Sequence, residues 1–271
     1  MLHSRRQFAT LVTTLLLVGD LLSAAQAPAQ DFHVSNKIYD LENDPKKEHP
    51  IHCSTTLFWV GRAYDFVETP EGATIETMII DKPNDLIIML DPDRRMKTEI
   101  TTGEVATQIG RLLAAAQQPQ QSEFIKFSAA PKFDESFDPE TGELVLGGKW
   151  MRWAVKTEAP KNPFAAKQYN ETADWLAQIK AVLTPPYLPF PRLKLNEVLK
   201  QRQEIPVSVA WTVTPEGRGK PQTIRSEHHI QYGLSAKDKR RIEDVGVQLH
   251  TFNLVSFEVY HRLPEGKSDD E

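Results

Sequence analysis

"TMIIDKPNDLIIMLDPDRRMKTEIT" (Thr77–Thr101) is the stretch that decides the fold. Two apolar runs, Met78–Ile80 and Leu86–Leu90, flank Lys82-Pro83-Asn84-Asp85. A third strand-like run, Met96–Ile100, follows Asp91-Pro92-Asp93-Arg94. Pro, Asn and Asp are turn formers. Strands this short and this close together pair only as antiparallel neighbours, because a parallel crossover needs a dozen or more residues. The stretch is also acidic. Asp81, Asp85, Asp91 and Asp93 fall at the separators, where a carboxylate can bond the backbone. A calcium loop would instead require Asp or Asn at alternating positions, a Gly and a closing Glu. The acidic residues therefore read as turn chemistry, and no metal or other cofactor is expected.

The β signal extends outward in both directions. Phe32–Tyr39 alternates, Ile51–Val60 and Arg62–Val67 flank a turn at Gly61, and Ile75–Ile80 leads into the opening stretch. Thr101-Thr102-Gly103-Glu104 is a capping-box pattern, after which Val105, Ile109, Leu112, Leu113 and Ala116 share a helical face. Strand-like segments recur at Glu143–Leu146 and Lys149–Lys156. Asn162-Pro163 opens a helix bearing Trp175, Leu176, Ile179, Val182 and Leu183. Thr184–Pro191 holds four prolines and reads as a rigid connector. A helix over Leu193–Gln201, strands over Ile205–Val213 and Gln222–Tyr232, and a helix capped by Ser235 complete the order. The whole predicts one α+β domain over residues 30–264, with a disordered tail over 265–271.

At 40% hydrophobic and 25% charged residues, the chain has enough apolar material for a core. The formal charge of −5 offers no basis for binding nucleic acid. Ser4-Arg5-Arg6-Gln7-Phe8, a moderate apolar run over Leu11–Leu22, and small residues ending in Ala27-Pro28-Ala29 form the three-part layout of an export signal. The pair Arg5-Arg6 resembles a twin-arginine signal, although Ala9 and Thr10 depart from the pattern's last two positions. This predicts engagement of an export translocase, cleavage near Ala29, and a mature protein in the periplasm or outside the cell. No later segment reaches membrane-spanning length. The lone cysteine, Cys53, rules out an internal disulfide and reads as a small buried hydrophobe.

The run "RAYDFVETPEGATIETMIIDKPNDLIIMLDPDRRMKTEITTGEV" (Arg62–Val105) resembles the central meander of the lipoprotein-carrier superfamily, the LolA/LolB-like half-barrels. The matching pieces are Met78-Ile79-Ile80-Asp81, Leu86–Leu90, Asp91-Pro92 and Met96–Ile100. The later "LNEVLKQRQEIPVSVAWTV" resembles the closing strands of that superfamily. The resemblance covers roughly 100 residues in two blocks, by pattern rather than by a catalytic motif. It implies a curved antiparallel sheet with helices packed on the concave face and an apolar ligand held there, a lipid, an acyl chain or a lipoprotein. Trp59, Phe66, Met78, Ile80, Ile88 and Leu90 are the candidate lining residues, with ordinary core as the competing reading.

No strong catalytic motif is present. His49, His52 and Cys53 include metal-binding types, but His52 and Cys53 are adjacent on a strand and point to opposite faces. Ser226-Glu227-His228-His229 places Ser226 and His228 on one strand face, yet nothing marks an oxyanion site. The expected function is a non-catalytic exported protein that binds a hydrophobic ligand or an envelope component. The alternatives are a protein-interaction module with a filled core and, third, a hydrolase. Export is directly testable: replacing both Arg5 and Arg6 by Lys should leave the precursor unprocessed in cell fractionation, whereas unchanged processing would leave only a general secretory signal.

Overall fold

The computed structural model describes residues 31–44, 46, 49–184, 187–217 and 219–262. The export signal, including Arg5, Arg6 and the cleavage position Ala29, and the tail over 265–271 lie outside the described residues, as do Pro185 and Pro186 of the connector.

The opening stretch forms the expected hairpins. β2 (His52–Trp59), β3 (Arg62–Glu68), β4 (Thr74–Asp81), β5 (Leu86–Asp91) and β6 (Met96–Thr101) pair antiparallel in succession. β2 and β3 are joined by Val60 and Gly61, both at positive φ, the conformation a two-residue hairpin turn needs. The turn acids act locally. The Asp91 carboxylate accepts from the Arg94 backbone N–H (2.8 Å) and from Arg94 Nε (2.6 Å). Asp81 accepts from Asn84 Nδ2 and from Arg62 Nε, each at 2.9 Å. Asp85 adopts the left-handed conformation (φ 52°), which Asp tolerates better than most residues.

Helices start where the caps place them. α1 (Thr102–Ala116) carries the complete Thr101/Glu104 capping box. α3 (Pro163–Leu183) begins with the Asn162 side chain accepting from the Ala165 N–H. α4 (Phe190–Arg202) starts inside the proline segment, with proline in its first turn, where the missing N–H costs nothing. α5 (Ala236–Thr251) has a capping box of Ser235 and Asp238. Four further elements carry too little signal to be read from sequence: α2 (Glu123–Ala129), the wholly exposed β7 (Asp134–Asp138), the two-residue β12 (Asn253–Leu254) and α6 (Phe257–His261).

β1 (Phe32–Asp40), β8 (Glu143–Gly147), β9 (Met151–Glu158), β10 (Ile205–Val213) and β11 (Gln222–Tyr232) complete the set. Among the described residues there are twelve strands in one open sheet, in the order β12-β6-β5-β4-β3-β2-β1-β11-β10-β9-β8-β7. The sheet is mixed rather than purely antiparallel, because β12 pairs parallel to β6.

Register sorts the residues by face. Tyr232, Phe32, Phe58, Ala63, Ile80, Ile87 and Ile100 lie opposite one another in a row across β11, β1, β2, β3, β4, β5 and β6. α3 packs on this face through Ala165, Ala166, Tyr169 and Ala173. α1 and α6 cover its β4–β6 end, and α4 covers β8–β10 through Leu195, Val198 and Leu199. The opposite face of β2–β5 is not bare. Ile242 and Val245 of α5 pack there on Leu57, Tyr64, Phe66, Ile79, Ile88 and Leu90, and Arg241 pairs with Glu68 at 2.7 Å. Helices therefore flank the sheet on both sides, which departs from the expectation of a single covered face. In the described residues no helix is long and apolar enough to cross a membrane.

Candidate functional site

Beneath the C-terminal half of α3 the sheet changes character. On the α3 face, Asp65 of β3 lies opposite Thr56 of β2, Ser54 lies opposite Asn36 of β1, and Asn36 lies opposite His228 of β11. One pair further along, Ile38 separates His52 from Ser226. A polar floor thus interrupts the apolar face. Half of the residues α3 sets above it are small, Thr172, Ala173 and Ala177; the others are Tyr169, Leu176 and Lys180. Small side chains over short polar ones leave space. A cavity of about 180 Å³ results, with Arg192 of α4 on its wall.

A larger and mainly apolar cavity of about 770 Å³ adjoins it over β9–β11. Its walls include Met151, Trp153, Val209, Trp211, Val213 and Ile224 from the sheet, Phe124 and Ile125 from α2, and Leu188 from the connector. Trp153 and Trp211 stack in register, with ring centroids 5.5 Å apart and planes inclined by 14°. Neither indole N–H has a partner among the described residues. The two cavities share Ile38, Ala177, Lys180, Arg192 and Ser226, so the polar and apolar spaces meet along one border. The larger volume lies within the range of about 300–1,000 Å³ usual for small-molecule sites.

Burial biases the polar floor against charge. Burial pulls the His228 imidazole down to about 3, and the neighbouring Arg192 guanidinium adds to the effect. His228 is partly exposed and lines the cavity. Burial pushes the Asp65 carboxyl up, against the hydrogen bond the Thr56 hydroxyl donates to it at 2.6 Å. Burial also lowers His52, with Lys180 acting in the same direction. It raises the Tyr169 phenol, which Arg192 opposes.

Ser226, His228 and Tyr169 lie in a line that superficially matches a nucleophile, base and orienting group. Ser226 Oγ is 3.0 Å from His228 Nε2, and Tyr169 Oη is 2.9 Å from Nδ1. The assignment that uses every hydroxyl proton runs from Tyr169 O–H to Nδ1, from Nε2–H to Ser226 Oγ, and from Ser226 O–H toward the Val209 carbonyl at 3.5 Å. In that tautomer His228 donates to the serine and cannot accept its proton. An imidazole whose neighbour is a guanidinium rather than a carboxylate is also a weak base.

None of the sequence-predicted lining residues borders either cavity. Phe66, Ile88 and Leu90 are packed under α5, Met78 lies in the cluster with α1 and α6, and Ile80 lies beneath the N-terminal half of α3. Trp59 is 37% exposed. These five packed residues are filled core, the competing reading given above. His52 and Cys53 do face opposite sides of the sheet: His52 stands opposite Ile38, and Cys53 is buried opposite Lys37. His228 is not part of an exposed polar face, whereas His229 is exposed on the far side. Tyr169, Lys180, Arg192, Trp153 and Trp211 were not anticipated as site residues. Their only signals in the sequence were the alternation of β9 and β10 and the alanine-rich face of the long helix.

Compared with known proteins by sequence, the chain matches no family model and no curated protein.

The neutral His228 has a consequence for stability. Between its ordinary value of 6.5 and about 3, the unfolded chain holds a proton that the folded protein does not. Stability from this group is therefore intact at pH 7 and lost as pH falls through 6.5 toward 3. In urea unfolding, the fall in stability between pH 7 and pH 5 should be smaller in His228→Gln than in the unsubstituted protein. Equal falls would show that His228 protonates freely in the folded state.

Proposed function

We propose that this chain is an exported, non-catalytic binding protein for a hydrophobic ligand, a lipid or acyl chain, held between α3 and the β9–β11 part of the sheet. The single observation that carries the reading is the 770 Å³ cavity walled by Trp153, Trp211, Met151 and Val209. Apolar walls favour burial of an alkyl chain by about 0.8 kcal/mol per methylene. The antiparallel meander with α3 laid across it supports the likeness to the lipoprotein-carrier half-barrels. The Arg5-Arg6 signal layout supports export. A cavity of this size argues against a module with a completely filled core.

A hydrolase reading rests on the Ser226–His228–Tyr169 line alone. Covalent labelling of Ser226 by a fluorophosphonate would favour it, and the donor role of His228 predicts no labelling.

The binding reading is tested by native mass spectrometry of the mature protein, alone and with added dodecanoate. A bound mass is expected, accompanied by a change in Trp fluorescence. Ala177 borders both cavities, so Ala177→Phe should obstruct their junction and weaken the bound mass while the protein stays folded. Leu90→Ala, in the cluster under α5, should instead cost about 2–5 kcal/mol of stability and keep the bound mass. No bound mass in the unsubstituted protein would contradict the reading.

A further inference from the structure

The larger cavity is mainly apolar, but its border with the polar cavity is cationic. Lys180 and Arg192 line both spaces, and no carboxylate lines the larger one. The acids nearest in sequence on α3 are committed elsewhere. Glu171 pairs with Lys82, and Asp174 pairs with Lys200 and accepts from Asn196 Nδ2 at 2.8 Å. Asn196, which is fully buried, in turn accepts from Arg192 Nε at 2.9 Å. That contact braces the guanidinium, which also bonds the Tyr169 hydroxyl; a guanidinium carries five N–H donors, so donors remain for a ligand. Lys180 has no ion-pair partner among the described residues.

One further donor lies on the polar side: Thr172 is 2% exposed and borders the polar cavity, and its hydroxyl is unpartnered. Buried polar atoms are rarely left unsatisfied. Asp65 is the one acid on the polar cavity; one of its oxygens accepts from the Thr56 hydroxyl, burial favours its protonated form, and Lys180 attracts its charged form without forming an ion pair.

We propose that the ligand is an anionic amphiphile. Its carboxylate or phosphate head is held at the junction by Arg192 and Lys180, and its single alkyl tail lies along Trp153 and Trp211. This inference rests on the binding reading above and narrows it to a ligand class. Arg192 supplies the planar, pre-positioned contact, and Lys180, on the accessible edge, supplies a mobile second charge. The neutral imidazole of His228 fits the same arrangement, since a carboxylate in place of any of these groups would repel the head.

The test compares dodecanoate, dodecyl phosphate, dodecanol and dodecyltrimethylammonium by Trp fluorescence titration. At least one anion should bind about tenfold or more tightly than dodecanol, equivalent to about 1.4 kcal/mol. Whether the carboxylate or the phosphate is preferred identifies the head group. The preference should shrink in 1 M salt and in Lys180→Gln, which alters an accessible side chain and should leave the fold intact. It should shrink further in Arg192→Gln, provided that circular dichroism shows a folded protein. Equal affinity for dodecanol and both anions, or a preference unchanged in both variants, would overturn the inference while leaving the binding reading in place. Failure of all four probes to bind would overturn both.

Discussion

The pairing of β1 with β11 is the constraint on which the rest of the structure depends. β1 is the first strand described and β11 lies near the other end, so their antiparallel register, from Phe32 opposite Tyr232 to Asp40 opposite Ile224, joins two meanders into one sheet. Each meander alone has local hairpins. Only their junction places Asn36 beside His228 and Ile38 beside Ser226. A slip of one residue would turn His228 and Ser226 to the far side and bring Glu227 under α3. At the apolar end of the register Phe32 meets Tyr232 of β11 at 6.2 Å and is itself held by stacking on Phe58 of β2 at 4.1 Å. On the far side the register is held by the 3.2 Å contact between His33 and Asp238 of α5.

Given that register, the chemistry of the hollow follows from burial. Ionising a histidine or an aspartate beneath α3 would cost more than its few hydrogen bonds return, so His228 is driven toward its neutral form and Asp65 toward protonation. Charge is retained only at the border, where Arg192 is braced by Asn196 and Lys180 reaches the accessible edge. The result is an apolar chamber, a polar floor that burial biases against charge, and a cationic rim. This arrangement suits binding better than proton transfer.

Much of the architecture was legible because it is local. The strands over Ile205–Val213 and Gln222–Tyr232 match their expected bounds, and Thr101, Asn162 and Ser235 cap helices as their types dictate. β7 was illegible because Asp134–Asp138 is exposed at every position and shows no apolar alternation. The site was illegible for a different reason. Ile88, Leu90 and Phe66 were chosen because they are large and apolar, but large apolar side chains fill space, and α5 packs on them. A hollow is marked by what is small or polar, here Ser54, Thr56, Ala173 and Ala177. In a sequence such residues resemble ordinary surface. Their convergence depends on the β1–β11 register and on where α3 crosses the sheet, and neither is a local property.

The most direct test of the account is the position of a bound chain in a crystal of the mature protein grown with dodecanoate brominated at its far end. The account predicts an anomalous bromine peak in the chamber beside Trp153 and Trp211, with the carboxylate toward Arg192. A peak between α5 and the cluster of Ile88 and Leu90, or side chains closing the chamber with no bromine present, would contradict it.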